Sequence, residues 1–397
     1  MKIENLALQR DKYKHLSDDE WRWFLQQVEG RERTADKLPT FAAIEDWWYP
    51  VRLSCEQCSS EMTARYKVSL LSAVSHQHSD FLDLTGGYGV DTYFISEHFE
   101  HTDYVEPNEE LCRIAEHNFS QPTPSLPKGK EICVHHTTAE EFLQTAGQYD
   151  LIFADPARRD SHGGKVFRLE DCTPNIVTLL PTLLQHLKPE GRLMLKLSPM
   201  LDITQAVKEL SAFRSQPSEV SLQFSVFIVA IKNEVKEVLL LSTKGQSTTY
   251  KGSITAIDLA EPEKAFVFTQ EEEREADVSC QPSDVSYLYE PSAAILKAGA
   301  YKLVAERFGL QKLDVNTHLY ASDRLVEDFP GRIWQIKKPT PSLPKGKELN
   351  QANILCRNYP LTPEQLKKKL KIKDGGRDYV IGCRVNGKPT LFVAERI

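Results

Sequence analysis

The stretch that decides the fold reads Phe81-Leu-Asp-Leu-Thr-Gly-Gly-Tyr-Gly-Val-Asp-Thr92. Its apolar start, which ends near Asp83, predicts a strand, and the residues after the glycines have the pattern of a helix. Glycine permits a positive φ and a close approach of the backbone to a ligand, and the first N–H groups of a helix lack intrahelical partners. The stretch therefore predicts a strand-turn-helix unit that binds a ligand at its turn. A tight turn without a ligand is the alternative.

Short apolar runs alternate with helical segments around this stretch. The strand candidates are Phe81–Leu84, Tyr104–Val105, Ile132–Val134, Leu151–Phe153 and Leu193–Leu195, with helices between them. Such alternation predicts a doubly wound α/β fold with a parallel sheet. Two longer apolar runs, 221–231 and 235–241, are separated by only three residues, and so short a connection permits only an antiparallel hairpin.

The pattern along the chain predicts four regions. Residues 1–78 read as helical and contain an aromatic cluster, and residues 79–260 contain the α/β pattern. Residues 261–330 read as a linker with a small α+β, ferredoxin-like unit, in which 261–277 is linker or peripheral strands and 291–308 is helical. Residues 331–397 read as a second small α+β unit with a helix over 362–370. The two small units could also be one split unit.

Composition is that of a soluble globular protein, with 41% hydrophobic and 26% charged residues. No apolar run is long enough for a membrane helix, and residues 1–16 lack an apolar signal core, so we expect neither membrane insertion nor secretion. Eight cysteines, sparse and irregularly spaced, suit a reducing cytoplasm, where we expect the protein to be located.

Charge is distributed unevenly along the chain. The net charge is −7, yet residues 331–397 contain 15 Lys and Arg against 5 Asp and Glu. Basic residues surround the helix predicted over 362–370, and a basic module on an acidic body favours a polyanionic partner. The alternative is a solvated lysine-rich face. The candidate substrate-binding residues here are Lys367, Lys368, Lys371 and Arg377.

Ten residues occur twice, as PTPSLPKGKE over 122–131 and again over 339–348. Proline at alternate positions opposes both helix and central strand, so both copies are expected to be exposed loops. We interpret them as insertions without a catalytic role.

The glycine-rich turn departs from a dinucleotide-binding fingerprint. Thr92 stands where that fingerprint requires its third glycine, and the carboxylate of Asp83 suits a cationic ligand better than a pyrophosphate. The segment resembles motif I of class I S-adenosylmethionine-dependent methyltransferases, with Thr85 in place of the first glycine. The resemblance implies S-adenosylmethionine as cofactor, and it implies contacts with the cofactor from Asp83, Thr85, Gly86, Gly87, Gly89 and Asp91.

Two further acids follow neighbouring strands. Glu106 ends the second strand, where a carboxylate can accept hydrogen bonds from both ribose hydroxyls of the cofactor; an exposed acid at a helix entry is the alternative. Glu140, after the third strand, is placed by position near the adenine. Thr138 as a helix N-cap with Glu141 three residues later is an equally good interpretation of that segment.

The fourth strand ends in Asp155-Pro156-Ala157-Arg158-Arg159. This segment resembles motif IV of enzymes that methylate nucleobase nitrogens, in which the acid and adjacent carbonyls accept hydrogen bonds from the target nitrogen. Ala157 and Arg158 replace the second proline and the aromatic residue of that motif. The candidate catalytic residues are Asp155, Pro156, Arg158 and Arg159, and Asp155 is also a candidate cofactor contact. A guanidinium can stack on a base or bind phosphate, while two surface charges are the alternative.

Residues 56–67, QCSSEMTARYK and its preceding Glu56, resemble the helix entry before motif I in trimethylguanosine-synthase-like RNA methyltransferases. In those enzymes the segment packs over the cofactor, which makes Ser60 and Glu61 candidate cofactor contacts. Cys55 and Cys58 have the spacing of half a zinc site, but no second pair exists, so we expect no metal. A serine hydrolase is disfavoured because no nucleophile elbow is present.

The order of these motifs resembles a bacterial family of class I methyltransferases with a C-terminal THUMP-like domain, over nearly the whole chain. The sheet of that class is parallel and ends in an antiparallel hairpin strand, as predicted above. THUMP domains occur on RNA-modifying enzymes, so the resemblance implies methylation of a nucleobase nitrogen in tRNA or rRNA. The alternatives are a methyltransferase acting on a protein or small molecule, and a catalytically silent RNA-binding module.

Overall fold

The computed structural model describes Leu6 and residues 10–72, 79–121, 131–157, 168–211, 223–245, 252–280, 285–340 and 349–397, with the backbone alone for residues 72 and 338–340. The chain divides into two compact units. Unit 1 is Met1–Phe224 with Leu239–Lys251, and unit 2 is Ser225–Val238 with Gly252–Ile397. Residues 122–130 and 341–348, which make up most of the two PTPSLPKGKE copies, lie outside the described residues.

Within the first 78 residues the described elements are helices and one 3₁₀ turn, with no strand among the described residues. A 3₁₀ turn over Arg10–Tyr13 precedes four helices: α1 (Asp18–Thr34), α2 (Pro39–Ala43), α3 (Arg52–Gln57) and α4 (Glu61–Ser72). Ser17 and Glu20 form a capping box at the start of α1, which satisfies two N–H groups that the first turn leaves free.

Aromatic side chains of this helical region share a core with the α/β part of unit 1. The rings of Phe41 and Trp47 lie 4.1 Å apart, and both pack edge-on against Tyr93 of the helix that follows the glycine turn. Trp47 also donates a hydrogen bond of 3.0 Å from its indole nitrogen to the hydroxyl of Tyr88, inside the glycine turn. The helical region is therefore part of the same folded unit as the turn.

The sheet of unit 1 is parallel at its centre. Its strands are β1 (Asp80–Asp83), β2 (His101–Glu106), β3 (Glu131–His136), β4 (Tyr149–Ala154), β5 (Leu187–Leu197) and the end of β7, in the order β3-β2-β1-β4-β5-β7. The first five pair in parallel. Helices α5 (Val90–Ser96), α6 (Glu109–Ser120), α7 (Ala139–Phe142), α8 (Ile176–His186) and α9 (Ile203–Ser211) lie between strands or follow them. The predicted parallel α/β sheet is confirmed.

The predicted hairpin is present as β6 (Ser225–Ile231) and β7 (Glu234–Thr243), and β6 is the strand next to β7. Lys232 and Asn233 form its two-residue turn with φ of 52° and 64°, the conformation that matches the twist of a hairpin. The carboxylate of Asp258 accepts hydrogen bonds from both of their N–H groups, at 2.9 and 2.5 Å. The strand order up to this hairpin is β3-β2-β1-β4-β5-β7-β6.

Unit 2 continues from β6 with β8 (Ser253–Asp258), which no sequence pattern predicted, and with β9 (Phe266–Thr269), which lies in the segment expected to be linker or peripheral strands. β8 pairs in parallel with β6, and β9 pairs antiparallel with β8. A 3₁₀ turn over Pro262–Lys264 precedes β9 and helix α10 (Gln270–Glu275) follows it. The segment expected to be linker or peripheral strands therefore contains one strand and one helix.

The remainder of unit 2 builds one mixed sheet of seven strands. They are β10 (Tyr287–Pro291), β11 (Gln311–Asp314), β12 (Thr317–Ser322), β13 (Gly331–Thr340), β14 (Asn353–Arg357), β15 (Asp378–Val385) and β16 (Lys388–Arg396), in the order β11-β12-β10-β13-β16-β15-β14. β14 and β15 pair in parallel and the other neighbours antiparallel. Both predicted small α+β regions contribute to this sheet.

Helices of this part differ in one respect from the prediction. The single helix expected over 291–308 is two short helices, α11 (Ala293–Ala298) and α12 (Leu303–Arg307), and Pro291 belongs to β10. Gly299 ends α11 in the left-handed conformation, with φ of 82°, which breaks the helical path. Helix α13 (Pro363–Leu370) lies where it was predicted, with Thr362 as its N-cap. No helix in the described part of the chain is long and apolar enough to span a membrane.

Candidate active site

The glycine turn connects β1 to α5 at the carboxyl end of the sheet, the edge where doubly wound folds bind ligands. A side chain at Gly86 would place its Cβ 2.1 Å from the ring of Tyr104, and one at Gly89 would lie 2.7 Å from Phe119. Gly87 has a φ of 58°, and a Cβ there would meet no heavy atom closer than 3.8 Å. The turn is therefore packed closely on one side and open at Gly87.

Asp83 ends β1 beneath the turn and is 1% exposed. Its carboxylate accepts a hydrogen bond of 2.5 Å from the hydroxyl of Thr92 and one of 3.1 Å from the N–H of Thr85. Burial raises the pKa of Asp83 to about 7, although these two hydrogen bonds act in the opposite direction. Asp83 thus fixes both ends of the turn from below.

Glu106 ends β2 and holds the turn from a second side. Its carboxylate accepts hydrogen bonds from the N–H groups of Gly87, at 2.8 Å, and Asn108, at 2.9 Å. Burial raises its pKa. A carboxylate offers about four lone-pair positions, so two acceptor positions are left for a ligand.

Asp91 lies in the first turn of α5 within a buried polar cluster. The hydroxyl of Ser59 donates to its carboxylate at 2.6 Å, and the ammonium of the fully buried Lys67 lies 3.0 Å away. Burial opposes ionisation, but Lys67, Lys196 and Ser59 together lower the pKa of Asp91. This carboxylate is therefore held ionised inside the fold.

Asp155 follows β4 directly, and its side chain is 38% exposed. Its N–H donates a hydrogen bond of 2.6 Å to the hydroxyl of Thr85, and its carboxylate forms an ion pair with Lys196. Pro156 is buried. The structure thus brings the acid of the predicted motif IV into contact with the predicted cofactor turn.

The described residues on either side of 158–167 meet two residues after Asp155. Ala157 and Thr173 form an isolated antiparallel bridge with hydrogen bonds of 2.7 and 2.9 Å. Arg158 and Arg159 lie outside the described residues, within 158–167. A 3₁₀ turn over Leu169–Asp171 precedes Thr173.

Ser60 and Glu61 have local partners. The hydroxyl of Ser60 accepts a hydrogen bond from the N–H of Thr63 at the start of α4. The carboxylate of Glu61 accepts from the N–H and the hydroxyl of Thr40 and pairs with Arg65. These contacts join α4 to α2, and a role toward the cofactor stays a prediction for both residues.

Glu140 is exposed in α7, and its neighbour Glu141 forms a capping box with Thr138. The structure therefore contains the capping box that was the alternative for this segment. A contact between Glu140 and the adenine stays a prediction.

The candidate substrate-binding residues lie in unit 2, on and after α13. Lys368, Lys371 and Arg377 are exposed, and Lys367 pairs with Asp374. Lys371 ends the helix in the left-handed conformation, with φ of 55°.

No cluster of three or more His, Cys, Asp or Glu side chains that could hold a metal ion occurs in the described ranges. The thiol of Cys58 donates to the carbonyl of Cys55 at 3.2 Å, and that of Cys55 to the carbonyl of Pro50 at 3.4 Å. Burial raises the pKa of both thiols, that of Cys55 to about 12. Both cysteines therefore have partners within the helical region.

Sequence reasoning missed Lys196, and within the segment 56–67 it did not single out Ser59 and Lys67 as members of this site. Lys196 belongs to no motif considered, yet it interrupts the apolar run of β5 next to its carboxyl end. A lysine at that position of a buried strand is a usable signal, since lysine is seldom buried without a partner.

Comparisons with known proteins agree with this architecture. Residues 287–330 match a family described as a ferredoxin-like domain, and residues 331–396 match one described as THUMP domain-like. The crystal structure of a presumed methyltransferase from Porphyromonas gingivalis W83 is 32% identical, with a TM-score of 0.80, over 96% of this chain and 92% of that one. No curated protein matches the chain.

Two other solved structures align with part of the chain. One is an rRNA methylase from Streptococcus thermophilus, 16% identical over 46% of this chain and 96% of that one, with a TM-score of 0.34. The other is a presumed methyltransferase from Streptococcus mutans in complex with SAH, 14% identical over 45% of this chain and 96% of that one, with a TM-score of 0.34. The chain belongs to the family of class I methyltransferases that the Porphyromonas gingivalis protein represents.

Proposed function

We propose that the protein transfers the methyl group of S-adenosylmethionine to a nucleobase nitrogen of tRNA or rRNA. The observation that carries this proposal is the hydrogen bond from the N–H of Asp155 to the hydroxyl of Thr85. It joins the acid that follows β4 to the glycine turn that follows β1. A donor held at the turn and an acceptor held at Asp155 would therefore be neighbours, and such proximity accounts for a large part of group-transfer catalysis.

The residues around the turn fit the cofactor in chemistry and in space. Gly87 is open where a side chain would otherwise stand, and Glu106 retains acceptor positions beside it. Glu106 would accept hydrogen bonds from the ribose hydroxyls, and the acidic group at Asp83 would favour the positively charged methionine end. When bound, the cofactor supplies a methyl group that its sulfonium already activates.

Other contacts around the cofactor are proposed by position. Thr85, Gly86 and Gly89 would form the wall of the turn, and Asp91 would keep the start of α5 in place through Ser59 and Lys67. Ser60, Glu61 and Glu140 are further proposed contacts.

Asp155 would act on the acceptor. Its partly exposed carboxylate can accept a hydrogen bond from an N–H of the target nitrogen and so direct the nitrogen lone pair toward the methyl group. The carbonyl of Pro156 would be a second acceptor. Arg158 and Arg159 would bind the substrate by stacking or by phosphate contacts.

RNA as substrate is supported by the match to a THUMP domain-like family and by exposed basic residues. Lys368, Lys371 and Arg377, with Lys367 beside them, would contact phosphates on one side of unit 2.

The test is transfer of labelled methyl from S-adenosylmethionine to small and ribosomal RNA from a strain that lacks the gene. We expect wild type to label one RNA species and Asp155→Ala to label none while it still binds the cofactor in calorimetry. Absence of label with a wild-type protein that binds the cofactor would contradict RNA as acceptor, and a protein or small molecule would then be assayed. Full turnover by Asp155→Ala would contradict the role of Asp155.

A further inference from the structure

Lys196 lies next to the last residue of β5, with a side chain that is 11% exposed. It forms an ion pair with the carboxylate of Asp155, and its ammonium lies 3.8 Å from the carboxylate of Asp91. Asp155 follows β4 and Asp91 belongs to the first turn of α5. One nearly buried cation thus stands between the acid proposed to act on the acceptor and the helix that starts at the glycine turn.

The ion pair constrains how Asp155 can be used. Lys196 donates to Oδ2 of the Asp155 carboxylate, while the backbone N–H of Asp155 donates to the hydroxyl of Thr85. Within the described part of the chain, these two are the hydrogen bonds of Asp155, and neither involves Oδ1. With its main chain and one oxygen fixed, the carboxylate has one acceptor oxygen left, whose direction is set by the other two contacts.

Lys196 is itself held in position from the other side. Asp91 is ionised within the protein because Lys67, Lys196 and Ser59 offset the effect of its burial. A lysine that lost one of two carboxylate neighbours in so enclosed a place would be costly to keep charged. Asp91 therefore keeps Lys196 beside Asp155.

We propose that Lys196 is a positioning residue of the transfer reaction, which aims the free oxygen of Asp155 at the target nitrogen. This proposal rests on the function proposed above for Asp155. In this proposal the ammonium of Lys196 does not contact the acceptor. Lys196 acts only by holding the carboxylate of Asp155. Removing Lys196 is expected to lower kcat without weakening cofactor binding, because Asp91 keeps its contacts with Lys67 and Ser59 and because Lys196 takes no part in the hydrogen bond between Glu106 and Gly87.

The same strand offers a matched control. Lys188, near the amino end of β5, bridges the carboxylates of Asp80, at 2.5 Å, and Asp150, at 2.9 Å. It repeats the arrangement of one lysine between two aspartates at the edge of the sheet opposite the proposed site. If the loss of an ion-paired lysine lowered activity only by destabilising the fold, replacing Lys188 would lower kcat as much as replacing Lys196.

The experiment compares Lys196→Met, Lys196→Arg, Lys188→Met and Asp155→Asn with wild type. kcat and KM are measured with labelled S-adenosylmethionine and with small and ribosomal RNA from a strain that lacks the gene, and cofactor Kd is measured by calorimetry. We expect Lys196→Met to lower kcat by about 10- to 100-fold, while its Kd for the cofactor stays within about threefold of the wild-type value. Lys188→Met should keep kcat within about twofold of the wild-type value. Lys196→Arg should recover part of the loss, since arginine also pairs with a carboxylate. Equal kcat for Lys196→Met and Lys188→Met would overturn the proposal.

A second measurement does not depend on the acceptor. The melting temperatures of Lys196→Met, Asp155→Asn and the double variant form a thermodynamic cycle. We expect the double variant to melt higher than the sum of the two single shifts predicts, because removing the second partner leaves no uncompensated charge. Additive shifts would show that the pair is not coupled and would overturn the proposal. If wild type labels no RNA but the cycle is non-additive, the acceptor assignment fails and the positioning contact stands.

Discussion

The N–H of Asp155 donates a hydrogen bond of 2.6 Å to the hydroxyl of Thr85. Thr85 occupies the position where motif I ordinarily has its first glycine, and it is not among the described residues with a positive φ, whereas Gly87 and Gly89 are. A side chain is therefore permitted there, and its hydroxyl supplies an acceptor that glycine lacks. The departure from the motif has a structural reason.

Replacing Thr85 by valine tests this hydrogen bond. The valine keeps the shape of the side chain but removes the acceptor, so the partly buried N–H of Asp155 loses its partner, at a cost of about 1–3 kcal/mol. We expect Thr85→Val to lower both the free energy of unfolding in urea and kcat, and Thr85→Ser to retain most of both. Equal behaviour of the two variants would contradict a role for the hydroxyl.

The pKa of Asp83 leads to a pH-dependent effect on stability. Because burial raises this pKa to about 7 in the folded protein, above a value of about 4 in the unfolded chain, the folded state binds the proton more tightly. The stabilisation that the protonated Asp83 gives the folded state is therefore fully present below about pH 4 and is lost as the pH rises to about 7. The amide introduced by Asp83→Asn cannot ionise. We expect the free energy of unfolding of this variant, relative to wild type, to increase by about 2 kcal/mol between about pH 5.5 and pH 7.

Urea unfolding at several pH values measures this difference, with Asp19→Asn at an exposed position as the control. A difference between Asp83→Asn and wild type that stays constant over the range would contradict the raised pKa.

Glu106 is expected to determine cofactor affinity. Glu106→Gln keeps one acceptor oxygen but loses the charge and replaces the other oxygen with a donor, which faces the N–H of Gly87 or Asn108. Hydrogen bonds to a charged acceptor contribute about 1.5–3 kcal/mol each, so we expect the cofactor Kd to rise about 10- to 100-fold. Calorimetry measures it, with Glu109→Gln, an exposed position at the start of α6, as the control. An unchanged Kd would remove Glu106 from the proposed ribose site.

The basic residues of unit 2 are expected to govern RNA binding through phosphates. The triple variant Lys368→Gln, Lys371→Gln, Arg377→Gln should bind RNA more weakly, and removal of each phosphate contact should reduce the slope of log K against log salt by about 0.7 to 0.9. Filter binding at several salt concentrations measures this slope. Lys208→Gln, an exposed lysine of α9, serves as the control and should leave the slope unchanged. A triple variant with the wild-type slope would place the RNA elsewhere.

Deleting both copies of PTPSLPKGKE tests their interpretation as insertions. Each copy overlaps a strand at one end, where the expectation of an exposed loop is wrong: Glu131 pairs with His101 in β3, and Pro339 and Thr340 pair with Phe392 and Leu391 in β13. The deletion therefore spares these three residues and removes 122–130 and 341–348. We expect the double deletion to melt within a few degrees of wild type and to retain its kcat. Loss of activity in a folded double deletion would contradict the interpretation.

The class I sheet could be predicted because it depends on local signals. Apolar runs such as Leu151–Phe153 show where strands lie, and a connection as short as Lys232-Asn233 allows only a hairpin. The ends of strands also placed Glu106 and Asp155 at one edge of the sheet, since parallel strands share that edge.

Contacts between distant parts of the chain could not be predicted in this way. The pairing of Lys196 with Asp155, and that of Lys67 with Asp91, depends on side-chain directions in three dimensions that no spacing encodes. The strand order of the seven-stranded sheet of unit 2 could not be predicted for the same reason. Its strand β13 pairs with β10 and with β16, which lie far apart in sequence. Gly299 could have been recognised as a helix end, because glycine commonly ends a helix with a positive φ.

The bridge between Ala157 and Thr173 has a consequence for how such an enzyme can diversify. Ala157, three residues after the end of β4, pairs with Thr173, so the chain on either side of residues 158–172 meets at one pair of residues. A change of length or sequence between these two residues can therefore be made while the bridge keeps its place beside Asp155. Residues 158–172 are therefore the segment to exchange between relatives that have different acceptors, with Ala157 and Thr173 kept at its two ends.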